Sequence, residues 1–469
     1  MSNRLRPLSG LDAGFLYLES AGTPMHVGSV MLIELPKKKG YDFHSALLAH
    51  IAERLPRAPA LRRVLHEAPL DLGHPMWGEA NELDLKTHIR KRKLPGKGGQ
   101  EKLMALVGKL HAEILLRDRP MWQFVVIENV EPGVAALYSK VHHALLDGQG
   151  GIALAQAILD VAPTSAKRRK ATPTATANTT RLRKRDLANS ATRSTVNQFA
   201  KLLRALPATL KLAGSIGETV SMIGSLRDNV LLAPRTVFNQ QIGSTRSFAA
   251  LSLPIDEVKR VSRGFGVSLN DIVLAICAGA LRKLLLSVDE LPKKALIAAM
   301  PVSLREAGNT ESNNQVSMVQ CSLATDIADP IKRLRAINAS TAQIKQRVAA
   351  FKNLIPTDFP GLAAPIWAAG LSRLWALGRI AEKLPPLANV AISNVPGPPI
   401  PLYLAGAKLS HYYPVSIVTH GLAFNITVQS YAGQLEFGLT ACADIVAHPN
   451  VVAEAMADAL RELGDRLPE

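Results

Sequence analysis

Val134-Ala135-Ala136-Leu137-Tyr138-Ser139-Lys140-Val141-His142-His143-Ala144-Leu145-Leu146-Asp147-Gly148 is the stretch on which the reading of this chain turns. The apolar run from Val134 to Val141 predicts a strand, so the two histidines fall where a strand ends and a loop begins. Strand alternation sends His142 and His143 to opposite faces: one can enter a cleft while the other holds the loop. An imidazole takes up a proton at neutral pH, which makes this pair a candidate for general-base work. Asp147 reads as a structural ion rather than a second base. Gly148 permits a left-handed turn or a close backbone approach that a side chain would block. The plainer reading is a pair of hydrogen-bonded structural histidines beside a turn.

Around this stretch the pattern alternates. Strand-like runs at Val27–Leu35 and Trp122–Glu128 mix with apolar residues at three- and four-residue spacing over Phe43–Arg54 and Gln100–Arg117. Strands alternating with helices predict an α/β layer structure. A second α/β region starts near Phe248. There Asn270 is an N-cap candidate for an apolar helix over Ile272–Leu286. Further strands are expected at 295–302, 316–323, 389–395 and 424–430, the last returning through a turn at Ala432-Gly433 as a hairpin over 434–440. Cys277, mid-helix among apolar residues, reads as packing, and Trp122 as core.

The 469 residues suffice for about two domains, and 47% hydrophobic content excludes global disorder. The net charge of +17 calls for an anionic partner: nucleic acid, lipid headgroups or a phosphate-bearing substrate. Residues 165–211 hold +11 of it in a Thr/Ala/Ser-rich stretch that reads as a linker, followed by a weakly amphipathic helical region over 196–232. Cys277, Cys321 and Cys442 are far apart, which disfavours a disulfide framework or a zinc site. No apolar run reaches the length of a membrane span. A protein that is soluble, or held on a membrane surface without crossing it, is expected. The basic linker lacks interleaved aromatics and no nucleic-acid module is recognisable, so a lipid surface is the better partner.

Six stretches in order carry a resemblance. They are Arg6-Pro7-Leu8-Ser9 with Asp12, Pro24-Met25-His26-Val27-Gly28, Pro120-Met121-Trp122 with the double-histidine motif, Asn270-Asp271, Pro301-Val302-Ser303-Leu304-Arg305, and Ser393-Asn394-Val395-Pro396-Gly397-Pro398. Through them the chain resembles the bacterial wax ester synthase/diacylglycerol acyltransferase family over nearly its whole length. Met121 stands where leucine is usual, and Pro399-Ile400 where Arg-Glu is common.

The resemblance implies two chloramphenicol-acetyltransferase-like domains, each a mixed sheet packed with helices, with a tunnel between them and the double-histidine loop at its middle. The expected division is 1–162, a basic linker and crossover helix over 163–240, and 241–469. It implies acyl-CoA as co-substrate with no permanently bound cofactor and no metal, and a long-chain alcohol or diacylglycerol as acceptor. It also implies a cytoplasmic protein lying peripherally on the inner membrane or on lipid inclusions. His143 is then the base, with His142 and Asp147 beside it. Gly148 and Asn270 are expected at the substrate or oxyanion. Asp147 would be fixed by an arginine, best matched by Arg62, with Arg305 the runner-up. No G-x-S-x-G elbow is present, so direct transfer is favoured over an acyl-enzyme.

Other readings remain beside it. His142 and Asp147 also satisfy the H-x-x-x-x-D pattern of glycerol-phosphate acyltransferases, whose second signature block is missing. Peptide-forming condensation domains share the double histidine but normally sit in much longer chains. A non-catalytic protein binding acyl thioesters or a lipid surface is the rival from another class.

Overall fold

The stretch Val134–His142 is a strand and lies inside a sheet, paired on both sides. In the computed structural model the residues described are 5–67, 74–80, 82–146, 150–163, 232–303, 316–351 and 385–468. Their strands in chain order are β1 (Arg6–Pro7), β2 (His26–Glu34), β3 (Arg63–His66), β4 (Met76–Glu79), β5 (Ile89–Lys93), β6 (Trp122–Glu131), β7 (Val134–His142), β8 (Arg246–Pro254), β9 (Ile297–Ser303), β10 (Val316–Ser322), β11 (Val390–Val395), β12 (Tyr403–Leu404), β13 (Ala407–Val415), β14 (Phe424–Tyr431) and β15 (Gln434–Cys442). The helices are α1 (Gly10–Leu18), α2 (Phe43–Arg54), α3 (Leu85–His88), α4 (Gln100–Ala112), α5 (Gly150–Ile158), α6 (Ile255–Phe265), α7 (Leu269–Ser287), α8 (Pro330–Phe351) and α9 (Asn450–Gly464).

Two six-stranded mixed sheets organise them, ordered β12-β13-β2-β7-β6-β5 and β10-β9-β11-β14-β15-β8, with a small β1-β4-β3 sheet beside the first. In the first sheet Met31, Ile33, Phe124 and Leu137 pack with α1, α2 and α5. The alternate positions Val30, Leu32, Val125 and Tyr138 pack against Leu103, Val107 and Leu110 of α4. Both faces are covered, which is why the strands read as continuous apolar runs rather than alternating ones. In the second sheet β9, β11 and β14 run parallel. Helix α7 lies in the core of that half, its Ile272, Leu274, Ile276, Cys277 and Leu281 buried among residues of the sheet and of α9. The fold is mixed α/β, two sheets each packed with helices.

Most of the expected elements are present within a residue or two. The hairpin turns through Ala432 (φ 43°) and Gly433 (φ 88°), two left-handed residues between the paired Tyr431 and Gln434, as a two-residue type I′ turn requires. Two expectations need correction. Helix α4 stops at Ala112, not Arg117: the Lys140 ammonium donates to the carbonyls of Leu110 and Glu113 at 2.8 and 2.7 Å, satisfying oxygens left open at the helix end. The cap of α7 is Ser268 rather than Asn270. The Ser268 hydroxyl accepts from the Asp271 amide, and Asp271 reaches back to the Ser268 amide. β12 and β13, from late in the chain, complete the first sheet, with Lys408–Val415 paired to Gly28–Glu34 through one irregularity.

The halves are also packed through α4. A Cβ on Gly108 would lie 2.5 Å from the carbonyl oxygen of Arg246 in β8, so only glycine allows this approach. Among the described residues no single helix is long and apolar enough to cross a membrane. The bent pair α6–α7 passes on length and composition alone, and α7 is spent on the core. The helical region expected over 196–232 and the basic stretch 165–211 lie outside the described residues.

Candidate active site

The end of β7 is held from both sides. The His142 amide donates to the Met121 carbonyl at 2.9 Å and the His143 amide to the Met25 carbonyl at 2.8 Å. The strand stops at His142, and His143–Leu145 form a single 3₁₀ turn. His142 is fully buried. Its Nδ1 accepts from the Ala144 amide at 3.1 Å, so the proton of the neutral ring sits on Nε2. That nitrogen lies 3.3 Å from Oε1 of Glu19. The Glu19 carboxylate, 3% exposed, also accepts from Arg117 at 3.0 and 3.3 Å and from the Met25 amide at 3.3 Å. Burial alone would raise its pKa. The contacts to His142 and Arg117 outweigh burial and leave it below the usual carboxylate value.

His143 has different surroundings. Its ring stacks on Phe15 with centroids 3.9 Å apart and planes 16° from parallel. Phe15 and Glu19 are one helical turn apart at the end of α1, so one element touches both histidines. Burial, with His142 close by, pulls the His143 pKa down to about 4, against a smaller opposing effect of its own carbonyl. The ring is therefore neutral at neutral pH.

Behind the turn lies a buried polar layer. Lys140, 1% exposed, has the two carbonyl partners named above among the described residues, and burial draws it down to about 8. His26, opposite His142 in register, meets the His111 carbonyl at 2.7 Å. His111 bridges the Tyr138 hydroxyl (2.8 Å) and the Ser416 carbonyl (2.9 Å), and burial lowers it to about 3. Thus Tyr138, Lys140 and His142, on one face of β7, each have a hydrogen-bonded partner.

Asn270 sits in the first turn of α7, where its carboxamide oxygen accepts from Asn394 at 3.2 Å. Both line a cavity of about 520 Å³. Arg62 ends a 3₁₀ turn, its guanidinium 3.9 Å from Glu79 at the surface. Asp147, Gly148 and Arg305 lie outside the described residues. Trp122 is core, donating to the Leu61 carbonyl at 2.8 Å and stacked on His88. Cys277 is buried, its thiol pushed up to about 12 by burial. Among the described residues no group of three His, Cys, Asp or Glu is arranged to hold a metal.

Sequence reasoning missed Phe15, Glu19 and Arg117. A lone Glu at a helix end looks like any solvated carboxylate until the fold brings it to a buried histidine. Lys140 and Asn394 lay inside quoted motifs, but without a role.

Residues 8–273 match the wax ester synthase/diacylglycerol acyltransferase catalytic domain, and residues 312–464 the C-terminal domain of the same family. A Mycobacterium tuberculosis protein named as a diacylglycerol O-acyltransferase is 37% identical over 97% of this chain and 99% of its own length. A second from that species, tgs2, is 34% identical over 96% and 97%. The solved wax ester synthase/diacylglycerol acyltransferase from Marinobacter aquaeolei VT8 superposes with a TM-score of 0.71 at 30% identity, covering 98% of this chain and 99% of that one. The first condensation domain of the calcium-dependent antibiotic synthetase shares the fold, with a TM-score of 0.54 at 14% identity over 100% of this chain and 98% of that one. The chain belongs to the wax ester synthase/diacylglycerol acyltransferase family, and it is an acyltransferase.

Proposed function

We propose that the protein moves the acyl group of an acyl-CoA directly onto the hydroxyl of a long-chain alcohol or a diacylglycerol, with His143 as the base. The observation that carries this reading is a neutral imidazole at the end of β7, its ring stacked on Phe15 and its amide held by the Met25 carbonyl. The names of the relatives support it: acceptors of both kinds appear in the name of the Marinobacter protein, and a diacylglycerol in the mycobacterial ones.

In the reaction His143 takes the proton of the acceptor hydroxyl as its oxygen attacks the thioester carbonyl. The tetrahedral adduct collapses, the carbon–sulfur bond breaks, and the imidazolium returns the proton to the coenzyme A sulfur. Ester and thiol leave in balance, without an acyl-enzyme. One ring nitrogen of His143 keeps the proton of the neutral imidazole while the other accepts from the alcohol. His142, gripped by Glu19, holds the turn. Gly148 lets substrate approach the backbone, and Asn270 supplies a polar contact to the reacting group. Asp147 locks the loop through an arginine, Arg62 first and Arg305 second. The basic segment 165–211 keeps the enzyme on an anionic membrane or lipid-inclusion surface, where such acceptors reside.

The test is a purified-protein assay of palmitoyl-CoA with hexadecanol and with dipalmitoylglycerol, products identified by mass spectrometry. His143→Ala is expected to lose about 10²–10⁴-fold in turnover with the fold retained. Near-normal turnover in a folded His143→Ala protein would overturn the assignment of the base.

A further inference from the structure

Three of the stretches that carry the family resemblance are far apart in sequence yet line one cavity. Asn270 comes from the Asn-Asp pair, Pro301 from the Pro-Val-Ser-Leu-Arg stretch, and Asn394 and Pro396 from the Ser-Asn-Val-Pro-Gly-Pro stretch. The cavity measures about 520 Å³. It opens where the parallel strands β9, β11 and β14 end and α6 and α7 begin. In open α/β sheets this carboxyl edge is where ligands bind.

Its chemistry narrows the ligand. Most of the lining is apolar, Met300, Ile392 and Leu435 among it, and no charged side chain lines it among the described residues. Phosphates and free carboxylates are thereby poorly served. The Ser430 hydroxyl, also on the wall, is engaged with the Gly397 amide at 2.9 Å. That leaves the two carboxamides. Asn394 Nδ2 donates to Asn270 Oδ1, and neither makes another hydrogen bond among the described residues. The Asn270 NH2 group and the Asn394 carboxamide oxygen, one donor group and one acceptor group, are therefore without a partner among the described residues. Exchanging oxygen and nitrogen in both amides moves the two roles but keeps one of each. A thioester carbonyl only accepts, whereas a hydroxyl both donates and accepts.

Accordingly, we infer that this cavity is the acceptor-alcohol site: it takes the uncharged aliphatic part of the acceptor and the Asn270–Asn394 pair holds its hydroxyl. The assignment rests on the acyl-transfer reading and goes further, because it separates acceptor from donor within the molecule. Asn394 is exposed, at the mouth, and Met300 is a partly buried wall residue that a larger side chain would push inward.

The test compares Asn394→Ala and Met300→Trp with the wild type. KM is measured separately for hexadecanol and palmitoyl-CoA, and binding of a pyrene-labelled long-chain alcohol is followed by fluorescence titration without acyl-CoA. Asn394→Ala is expected to raise the hexadecanol KM about tenfold, the size of one lost hydrogen bond, Met300→Trp to raise it by at least about as much by filling the cavity, and both to move the palmitoyl-CoA KM less than about twofold. Affinity for the labelled alcohol falls in parallel. A rise confined to palmitoyl-CoA would assign the cavity to the donor chain, and no change in either would leave it without a substrate; both outcomes overturn the proposal. If Met300→Trp does not fold, the exposed Asn394→Ala decides alone. If the wild type forms no ester, the acyl-transfer reading fails, while the alcohol titration still accepts or rejects this site.

Discussion

Burial draws the His143 imidazole down to about 4 from an ordinary 6.5, and activity and stability then follow pH in the same direction. In activity, the base works while unprotonated, so the acidic limb of kcat/KM is expected well below pH 6.5, falling as pH approaches about 4. A profile of thiol release against pH checks it. In stability, the folded-state pKa lies below the unfolded one, so the unfolded chain binds the extra proton between them. The contribution is complete above pH 6.5 and is lost as pH falls towards 4. Asp147 offers a second measurement on the same turn. In the pairing proposed for it with an arginine, removal of either member leaves the other charge alone, which is destabilising. Asp147→Ala and Arg62→Ala are each expected to lower Tm and activity, with strongly non-additive losses in a double-mutant cycle. Additive losses would move the pairing to Arg305.

Elements differ in how openly the sequence declares them. β7 and the β14–β15 hairpin were legible because their signals are local: an apolar run ending in polar residues, and a turn built on Ala432-Gly433. The end of α4 was not, since it depends on Lys140 arriving from a strand 27 residues past Glu113. The α7 cap was misplaced because Ser and Asn are equally good caps, and only the reciprocal bond from Asp271 selects Ser268. The double-histidine motif located the turn, whereas the hold of α1 on it, through Phe15 and Glu19, is a tertiary contact without a periodic trace. Helix α4 has its own prediction. In an isolated helix Gly→Ala gains about 1 kcal/mol. At Gly108 the added methyl meets the Arg246 carbonyl in β8. Gly108→Ala is therefore expected to lower Tm, measured by thermal denaturation, despite the gain in helix propensity.

For the whole molecule, the uneven charge sets the expected behaviour at a lipid surface. Residues 165–211 hold +11 of the net +17, and a basic residue near an anionic membrane contributes about 1 kcal/mol. Co-sedimentation with anionic vesicles is expected at low salt and to weaken at high salt. Neutralising the Lys167–Lys170 and Arg181–Arg185 clusters should remove it. Salt-indifferent binding would argue against an electrostatic attachment. The late arrival of β13 in the first sheet bears on how the chain is made. β2 and β7 leave the ribosome early, but the strand that covers the open edge of β2 ends only at Val415. At about 5–20 residues per second, β2 waits some tens of seconds for its neighbour. During that wait a row of unpaired amides and carbonyls, next to the strand that leads into the double histidine, is open to any extended segment nearby. The nascent first half is thus the stage at which a chaperone has most to offer, and a gene cut between the halves would yield an insoluble fragment.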